Sequence, residues 1–336
     1  MKRLLCVAAA LTSLPAQAQD RATTVSIESG VLRGAAVADI ASFKGVPFAA
    51  APTGELRWRA PQPALHWKGE RDATRFGSIC PQTDFPGGAA IVGVLRSEDC
   101  LFLNVWAPAA GIGKRAVLPV LVSIHGGGMV NGSGSDAVFD GAALANRGLV
   151  VVTFNYRLGR LGFFRHPAID AEAAKAGEAT GNFAFMDQIA ALEWVKANIA
   201  RFGGDPVRVT IAGESAGGVS VLAMMTSPRA KGLFSAAIAQ SAVPRFDFVA
   251  GPDAEKAGIA FAASAGLSGA DAKALRDIPV ATLLKGAEFF SQDRKTYSGP
   301  MVDGTVIVHS LMPAFVAGQQ ARVPMIVGTT GRELGG

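Results

Sequence analysis

An α/β fold is what this sequence predicts, with a mostly parallel central sheet flanked by helices and antiparallel strands at the N-terminal side. Three observations carry that reading. Short apolar runs recur at Leu101 to Trp106, Pro119 to Ile124, Leu149 to Phe154, Val207 to Ala212, Phe234 to Gln240 and Val323 to Val327. Such runs suit strands buried on both faces. Between two of them, Phe185, Ile189, Leu192, Ile199 and Phe202 recur at helical steps and mark one face of a helix. Finally, Gly213-Glu214-Ser215-Ala216-Gly217 falls where the Val207 run meets a small-residue helical run, Ala216 to Met225. A serine in that frame is presented on a sharp strand-to-helix turn.

Taken in order, residues 1–18 read as a secretory leader. Lys2-Arg3 is the positive start, Leu4 to Leu14 the short apolar stretch, and Ala16-Gln17-Ala18 the cleavage site. The stretch is too short for a membrane span, and no other uncharged run of that length follows. Export to the periplasm or the extracellular space is therefore expected, with residues 19–336 forming one domain. Thr24-Val25-Ser26-Ile27, a turn at Gly30, and Val31 to Gly34 alternate as antiparallel strands do. Residues 50–98 read as irregular and rich in Pro and Gly. Gly203-Gly204 stops the helix before the Val207 strand. Residues 252–295 read as short helices and loops without a strand, covering the top of the sheet.

Without the leader the formal charge falls from +5 to +3, since 30 basic residues then face 27 acidic ones. No Lys/Arg cluster remains that could track nucleic acid or an anionic membrane. The 49% apolar content is ample for a core. Of the three cysteines, Cys6 leaves with the leader. Cys80 and Cys100, in an exported chain, are expected to pair. Closing that loop contributes roughly 3 kcal/mol on the chain-entropy model. Two cysteines without a nearby histidine do not make a zinc site.

The chemistry centres on Ser215. His125-Gly126-Gly127-Gly128 follows the Pro119 to Ile124 strand. A glycine run there lets backbone N–H groups converge on one oxygen, and the expected donors are Gly127, Gly128 and Ala216. Losing one such donor typically costs roughly 3 kcal/mol of transition-state stabilisation. The helix beginning at Ala216 adds its positive end at the same place. Alone, the glycines would be an ordinary flexible turn as readily as a functional loop; a phosphate cradle is excluded because neither G-x-G-x-x-G nor G-x-x-x-x-G-K is present.

Phe202-Gly203-Gly204-Asp205-Pro206, continuing through Val209-Thr210-Ile211-Ala212 into the Ser215 pentapeptide, resembles the nucleophile signature of the type B carboxylesterase and cholinesterase-like family of the α/β-hydrolase fold. Glu98-Asp99-Cys100-Leu101-Phe102-Leu103-Asn104-Val105-Trp106 resembles its second signature. Phe43 to Ala49, Asn155 to Gly159, and Gly181-Asn182 leading to Asp187-Gln188 are similar to further family segments. The resemblance implies a carboxylic ester hydrolase that works through an acyl-enzyme on small-molecule esters, with no metal or organic cofactor. It further implies a catalytic order of serine, acid, histidine. Gly328-Thr329-Thr330-Gly331-Arg332-Glu333 resembles the acid segment, which makes Glu333 the expected acid. Glu214 and His125 are then supporting groups beside the site.

The family's histidine lies well beyond its acid, in a His-Gly loop, whereas all four histidines here precede Glu333. His125 belongs to the glycine turn, and His66 and His166 read as loop residues. His309 is the one candidate substitute base, and an ordinary histidine is the simpler reading of it. The resemblance therefore implies a fragment lacking the final strands, the final helices and the base. Val323 to Val327 would then be an unprotected apolar edge. The expected outcome is self-association, against which a monodisperse monomer in size-exclusion chromatography with cooperative unfolding would count. Without a base, Ser215 is a weak nucleophile and turnover of activated esters should be slow. A non-catalytic binding or adhesion protein, or an inactive truncated remnant, is the alternative; lipase or peptidase activity on the same fold is a third reading. Met129, Phe163 and Phe164 are candidate pocket residues, and the Cys80–Cys100 loop through Ile91 to Leu95 is a candidate rim.

Overall fold

The computed structural model describes residues 21–84, 95–115, 117–242, 248–331 and 333. The leader and Ile91 to Val94 of the candidate rim lie outside them. Fourteen strands are described: β1 Arg21–Ile27, β2 Gly30–Val37, β3 Ile40–Pro47, β4 Glu70–Asp72, β5 Phe102–Pro108, β6 Leu118–Ile124, β7 Val150–Phe154, β8 Phe163–Phe164, β9 Gly181–Asn182, β10 Gly204–Glu214, β11 Ala236–Gln240, β12 Val249–Ala250, β13 Met301–Val302 and β14 Met325–Gly328. The helices are α1 Ala142–Ala145, α2 Gly159–Gly162, α3 Pro167–Ala176, α4 Phe183–Asn198, α5 Ala216–Thr226, α6 Gly251–Ser264, α7 Ala272–Arg276, α8 Val280–Leu284 and α9 Leu311–Val316.

The main sheet runs β1-β2-β3-β5-β7-β6-β10-β11-β14, with β4 alongside β2. From β1 through β7 each pairing in that row is antiparallel, and from β7 through β14 each is parallel. The parallel half reads as continuous apolar runs because both its faces are covered; every residue of β7 is buried. The chain passes from β6 outward to β7, then returns to the opposite side of β6 as β10. That reversal is a topological switch point, and ligands bind at such points beyond the carboxyl ends of the strands. Register aligns those ends: Gly213 lies opposite Ile124, Glu214 opposite Gln240, and Gln240 opposite Gly328.

Helix α4 runs as the periodicity predicts, except that Ile199–Phe202 tightens into a 3-10 turn before Gly203 ends it at φ +85°. Residues 50–98 are not wholly irregular, since β4 pairs in parallel with β2. Three residues are too few for alternation to reveal. Between 252 and 295 the described segments are α6, α7 and α8, with no strand among them. Phe163 and Phe164 lie in the core, not in a pocket: Phe163 packs edge-on to Phe185, and Phe164 against Trp58 and Phe261. Cys80 and Cys100 are disulfide-bonded and buried. At the far side of the sheet β14 is the last strand of the row, and its Ile326 and Val327 are 65% and 66% exposed.

Candidate active site

Ser215 sits between β10 and α5 at φ 55°, ψ −123°. A non-glycine residue at positive φ costs of order 1–3 kcal/mol and persists only where its surroundings over-determine it. Here they do. The Ser215 N–H donates to the Gln240 carbonyl at 2.9 Å, and the Ser215 carbonyl accepts from Val219 N at 2.9 Å. The flanking glycines are required by contact. A Cβ on Gly217 would lie 2.1 Å from the Ile124 carbonyl oxygen, and one on Gly213 would lie 2.3 Å from Gly217.

The loop after β6 meets the elbow directly. A Cβ on Gly126 would stand 2.8 Å from the Glu214 carbonyl oxygen and 3.3 Å from Ser215 Cβ. Gly127, Gly128 and Met129 follow at φ +101°, +64° and +63°. The Gly127 carbonyl accepts from both Val130 and Asn131 N–H groups, at 3.1 and 2.9 Å, which closes the turn. Gly127 and Gly128 donate their own N–H groups to no acceptor among the described residues. The Ala216 N–H, at the first position of α5, has no partner within the helix. The three expected oxyanion donors therefore lie on the two loops that face each other across the β6–β10 switch point.

His125 braces the glycine loop. Its ring stacks on Tyr156 at 4.2 Å between centroids, and Nδ1 lies 2.9 Å from the Gly126 carbonyl oxygen. Tyr156 Oη donates to the His125 carbonyl at 2.8 Å. Burial pushes the imidazole down to about 4, the Gly126 carbonyl opposing only in part. His125 is thus neutral at neutral pH, and its folded form resists protonation that the unfolded chain accepts near 6.5. Stability from this group is complete above pH 6.5 and is lost as pH falls from there through about 4, in total about 3 kcal/mol. Urea midpoints measured between pH 7 and pH 4 should show that slope, and it should be shallower in His125→Gln, where the likewise burial-depressed His166 still contributes.

Glu333 follows β14 at the same end of the sheet. One carboxylate oxygen, Oε1, accepts from Thr329 Oγ1, Ser241 Oγ at 2.8 Å, Thr330 N at 2.8 Å and Thr330 Oγ1 at 3.0 Å. The Thr329 hydroxyl, then Ser241 and Thr330, hold the carboxyl down at about 2, so it is ionised throughout the physiological range. Glu214 moves the other way, raised by burial and then by the negative charge of Glu333. The two carboxylates consequently share one electrostatic environment beside Ser215.

None of the four histidines hydrogen-bonds to Ser215 or Glu333. His166 caps α3, its Nδ1 accepting from Ala168 N at 3.2 Å. His66 is exposed in the loop before β4. His309, read above more simply as an ordinary histidine than as a base, lies away from Ser215. It lines a cavity of about 580 Å³ with Met224 and Met225, at the opposite end of α5 from Ser215. Eight residues of helix separate Ala216 from Met224, about 12 Å along the axis.

A second cavity, of about 20 Å³, touches the site itself. Gly128, Met129, Ala216 and Val219 form one side, and Gln292, Arg294 and Tyr297 the other. Met129 is therefore a wall of it, and Phe289 packs over Gly128, 3.0 Å from where a Cβ would stand. Ser241, Phe289 and the 292–297 wall are absent from the sequence reading. Ser241 was findable as the residue after a parallel strand; the others approach through tertiary folding and leave no local pattern.

A parallel sheet whose switch point carries a glycine loop and a strained serine elbow defines an α/β-hydrolase. The chain belongs to the carboxylesterase family, whose model matches residues 21–336. It is 39% identical over 327 residues to the fumonisin B1 esterase of Sphingopyxis macrogoltabida, covering 94% of this chain and 58% of that protein. It is 37% identical over 313 residues to the para-nitrobenzyl esterase of Bacillus subtilis strain 168, covering 91% and 62%. Among solved structures, a Geobacillus stearothermophilus carboxylesterase superposes with a TM-score of 0.80 at 37% identity, covering 92% of this chain and 61% of that one. The chain thus spans about three-fifths of the length of these relatives.

Proposed function

We propose that this chain carries the nucleophile, oxyanion hole and acid of a carboxylic ester hydrolase. The observation that carries the reading is Ser215 held at its strained elbow directly against the Gly126–Gly128 loop. Ser215 Oγ attacks the ester carbonyl and passes its proton to a base. The oxyanion is held by the N–H groups of Gly127, Gly128 and Ala216. The alcohol leaves with that proton, and water then releases the acid from the acyl-serine. Glu333, ionised and acceptor-only, orients the base and stabilises its cationic form. His66, His125, His166 and His309 make no hydrogen bond to Ser215 or Glu333 among the described residues. The leader-like residues 1–18 and the Cys80–Cys100 disulfide support export. Glu214 and His125 act by holding the glycine loop and elbow together.

The test is covalent labelling of the full chain with a fluorophosphonate, alongside hydrolysis of 4-nitrophenyl acetate. Slow labelling confined to Ser215 and lost in Ser215→Ala is the expected result, with ester turnover far below the usual 1–10³ s⁻¹. Turnover at ordinary rates that depends on Ser215 would show a base recruited within this chain. No labelling at all would favour the non-catalytic binding reading.

A further inference from the structure

Gln82 is buried, and its carboxamide is engaged by backbone on every side. Nε2 donates to the Cys80 carbonyl at 3.1 Å and to the Gly132 carbonyl at 2.9 Å, while Oε1 accepts from the Gly132 N–H at 2.8 Å. One side chain thus grips both polar groups of a residue fifty positions away. The N–H and C=O of Gly132 admit no other orientation of the amide. A residue needed there only to fill space would be apolar, because burying a carboxamide costs free energy unless its bonds are made. Cys80, two residues earlier, is tied to Cys100 in a buried disulfide, so the backbone that carries Gln82 is itself anchored.

Gly132 is the far end of the glycine loop. It sits at φ +108°, and a Cβ there would lie 2.6 Å from the Gly126 carbonyl oxygen and closer still to His125 Nδ1. Between those ends the Gly127 carbonyl takes the N–H groups of Val130 and Asn131, and the Asn131 side chain donates to the carbonyl of Thr83, the neighbour of Gln82. Asn155 repeats the arrangement on the other half of the disulfide. Its Oδ1 accepts from Ser133 Oγ and Gly134 N–H, both at 3.0 Å, and its Nδ2 donates to the Ser78 and Cys100 carbonyls at 3.0 and 3.2 Å. Met129, a non-glycine residue at φ +63° inside the loop, persists there only because its surroundings over-determine it.

From these placements we infer that Gln82 is a positioning residue for the oxyanion hole, acting through Gly132 from a base fixed by the Cys80–Cys100 disulfide. The inference rests on the reading of Gly127 and Gly128 as oxyanion donors given above. Gln82 touches no substrate. It holds the C-terminal end of the loop in both hydrogen-bonding directions, while the end of β6 holds the other. The loop between them then has one register, and the Gly127 and Gly128 N–H groups face Ser215 from one place. Without the clamp, both polar groups of Gly132 lose their partner and the loop is free to shift away from the elbow. A displacement of about 1 Å in such groups is worth roughly a hundredfold in rate, and one misplaced oxyanion donor is worth roughly 10²–10³.

The experiment compares fluorophosphonate labelling of Ser215 in the full chain with labelling in Gln82→Met, Gln82→Glu and Leu275→Ala, all far below their urea midpoints. Gln82→Met removes the three bonds at nearly constant volume. Its maximal labelling rate should fall about tenfold or more at every pH, with the half-saturating concentration unchanged, the mark of a contact made in the transition state. In Gln82→Glu, burial and the two facing carbonyls raise the introduced carboxyl, leaving it ionised at about pH 8 and protonated at about pH 5.5. Ionised, it only accepts, and labelling should be as slow as in Gln82→Met. Protonated, it again donates and accepts, and the rate should return to within about threefold of the unsubstituted chain. His125, the titratable group packed on Gly132, is common to every chain and cancels from these ratios, and Asp84 and Arg96 pair with each other. Leu275→Ala empties a buried position in α7, away from the loop, and should lower stability while labelling at the unsubstituted rate. Folded Gln82 variants that label normally, a Gln82→Glu deficit equal at both pH values, or a Leu275→Ala chain slowed as much as they are would each overturn the inference. An unsubstituted chain that does not label at all removes the hydrolase reading instead. Deuterium uptake of residues 126–132 then decides the positioning role alone. Faster exchange in Gln82→Met than in both the unsubstituted chain and Leu275→Ala supports it, and equal exchange overturns it.

Discussion

Gly217→Ala should destabilise the chain by at least about 3 kcal/mol and abolish fluorophosphonate labelling of Ser215. The added Cβ would stand 2.1 Å from the Ile124 carbonyl oxygen and 3.0 Å from the His125 carbonyl carbon and oxygen. Those are backbone atoms at the end of β6, which is paired on both sides, so neither can turn away as a flexible side chain would. Relief requires α5 to withdraw by about 1 Å, since carbon and oxygen in contact need well over 3 Å. Ordinary overpacking of a core costs 1–3 kcal/mol, and a collision with fixed backbone lies at or above that range. Withdrawal also carries Ala216 and Ser215 away from Gly127 and Gly128. Displacement of about 1 Å in reacting groups is worth roughly a hundredfold in rate. Urea unfolding and labelling kinetics together test this. Gly328→Ala is the control: nothing lies within 4 Å of its Cβ position and its φ is not positive, so its effect should stay within about 0.5 kcal/mol. Equal behaviour of the two variants would mean that the elbow is far looser than its contacts imply.

The same contacts explain why the elbow was legible from sequence. A strand end, a serine in a strained turn and a helix start cannot approach β6 without glycine at 213 and 217, so steric necessity wrote itself into five consecutive residues. The apolar strand runs were legible for a related reason, because burial on both faces excludes polar residues from them. Boundaries moved by a few residues, as with β10, which begins at Gly204 and not Val207. What failed to show was everything set by distant approach. Ser241 binds Glu333 across 92 residues, and Phe289 reaches Gly128 from 161 residues away. Phe163 and Phe164 follow a strand and are apolar, which fits a pocket wall and a core equally well; only packing against Phe185, Trp58 and Phe261 decides. His309 looked available because it precedes the acid strand, but sequence proximity to β14 places it at the wrong end of α5.

Asp187→Asn should cost about 3–5 kcal/mol and slow Ser215 labelling, although Asp187 touches neither the nucleophile nor its loop. Its carboxylate is fully buried in α4 and takes three bonds from one residue: Arg157 N at 3.0 Å and Nε at 2.8 Å to Oδ2, and Nη2 at 2.6 Å to Oδ1. Arg157 is itself 2% exposed. Removing one partner of such a pair strands the other charge in a low-dielectric interior, and that penalty exceeds whatever the intact pair contributes. Asparagine keeps the shape but presents an N–H₂ where Arg157 also presents donors, so the two groups repel. The consequence travels through the chain that Arg157 anchors. Tyr156, its neighbour, stacks on His125 and donates to its carbonyl, and Gly159 N–H donates to the Met129 carbonyl at 2.8 Å. Both bonds hold the glycine loop from behind, so loosening residues 155–159 widens the spread of positions available to Gly127 and Gly128. The exposed Lys273–Asp277 pair supplies the contrast. Solvent screens it, and Asp277→Asn should leave both melting temperature and labelling unchanged. Replacing both buried partners, as in Arg157→Met with Asp187→Leu, should recover much of the stability, because no stranded charge remains. It should not recover the labelling rate, since the bond from Asp187 to the Arg157 backbone N–H would still be lost. A double variant that regains stability and labelling together would show that Asp187 is needed only to neutralise Arg157, and that the glycine loop is held by its own contacts.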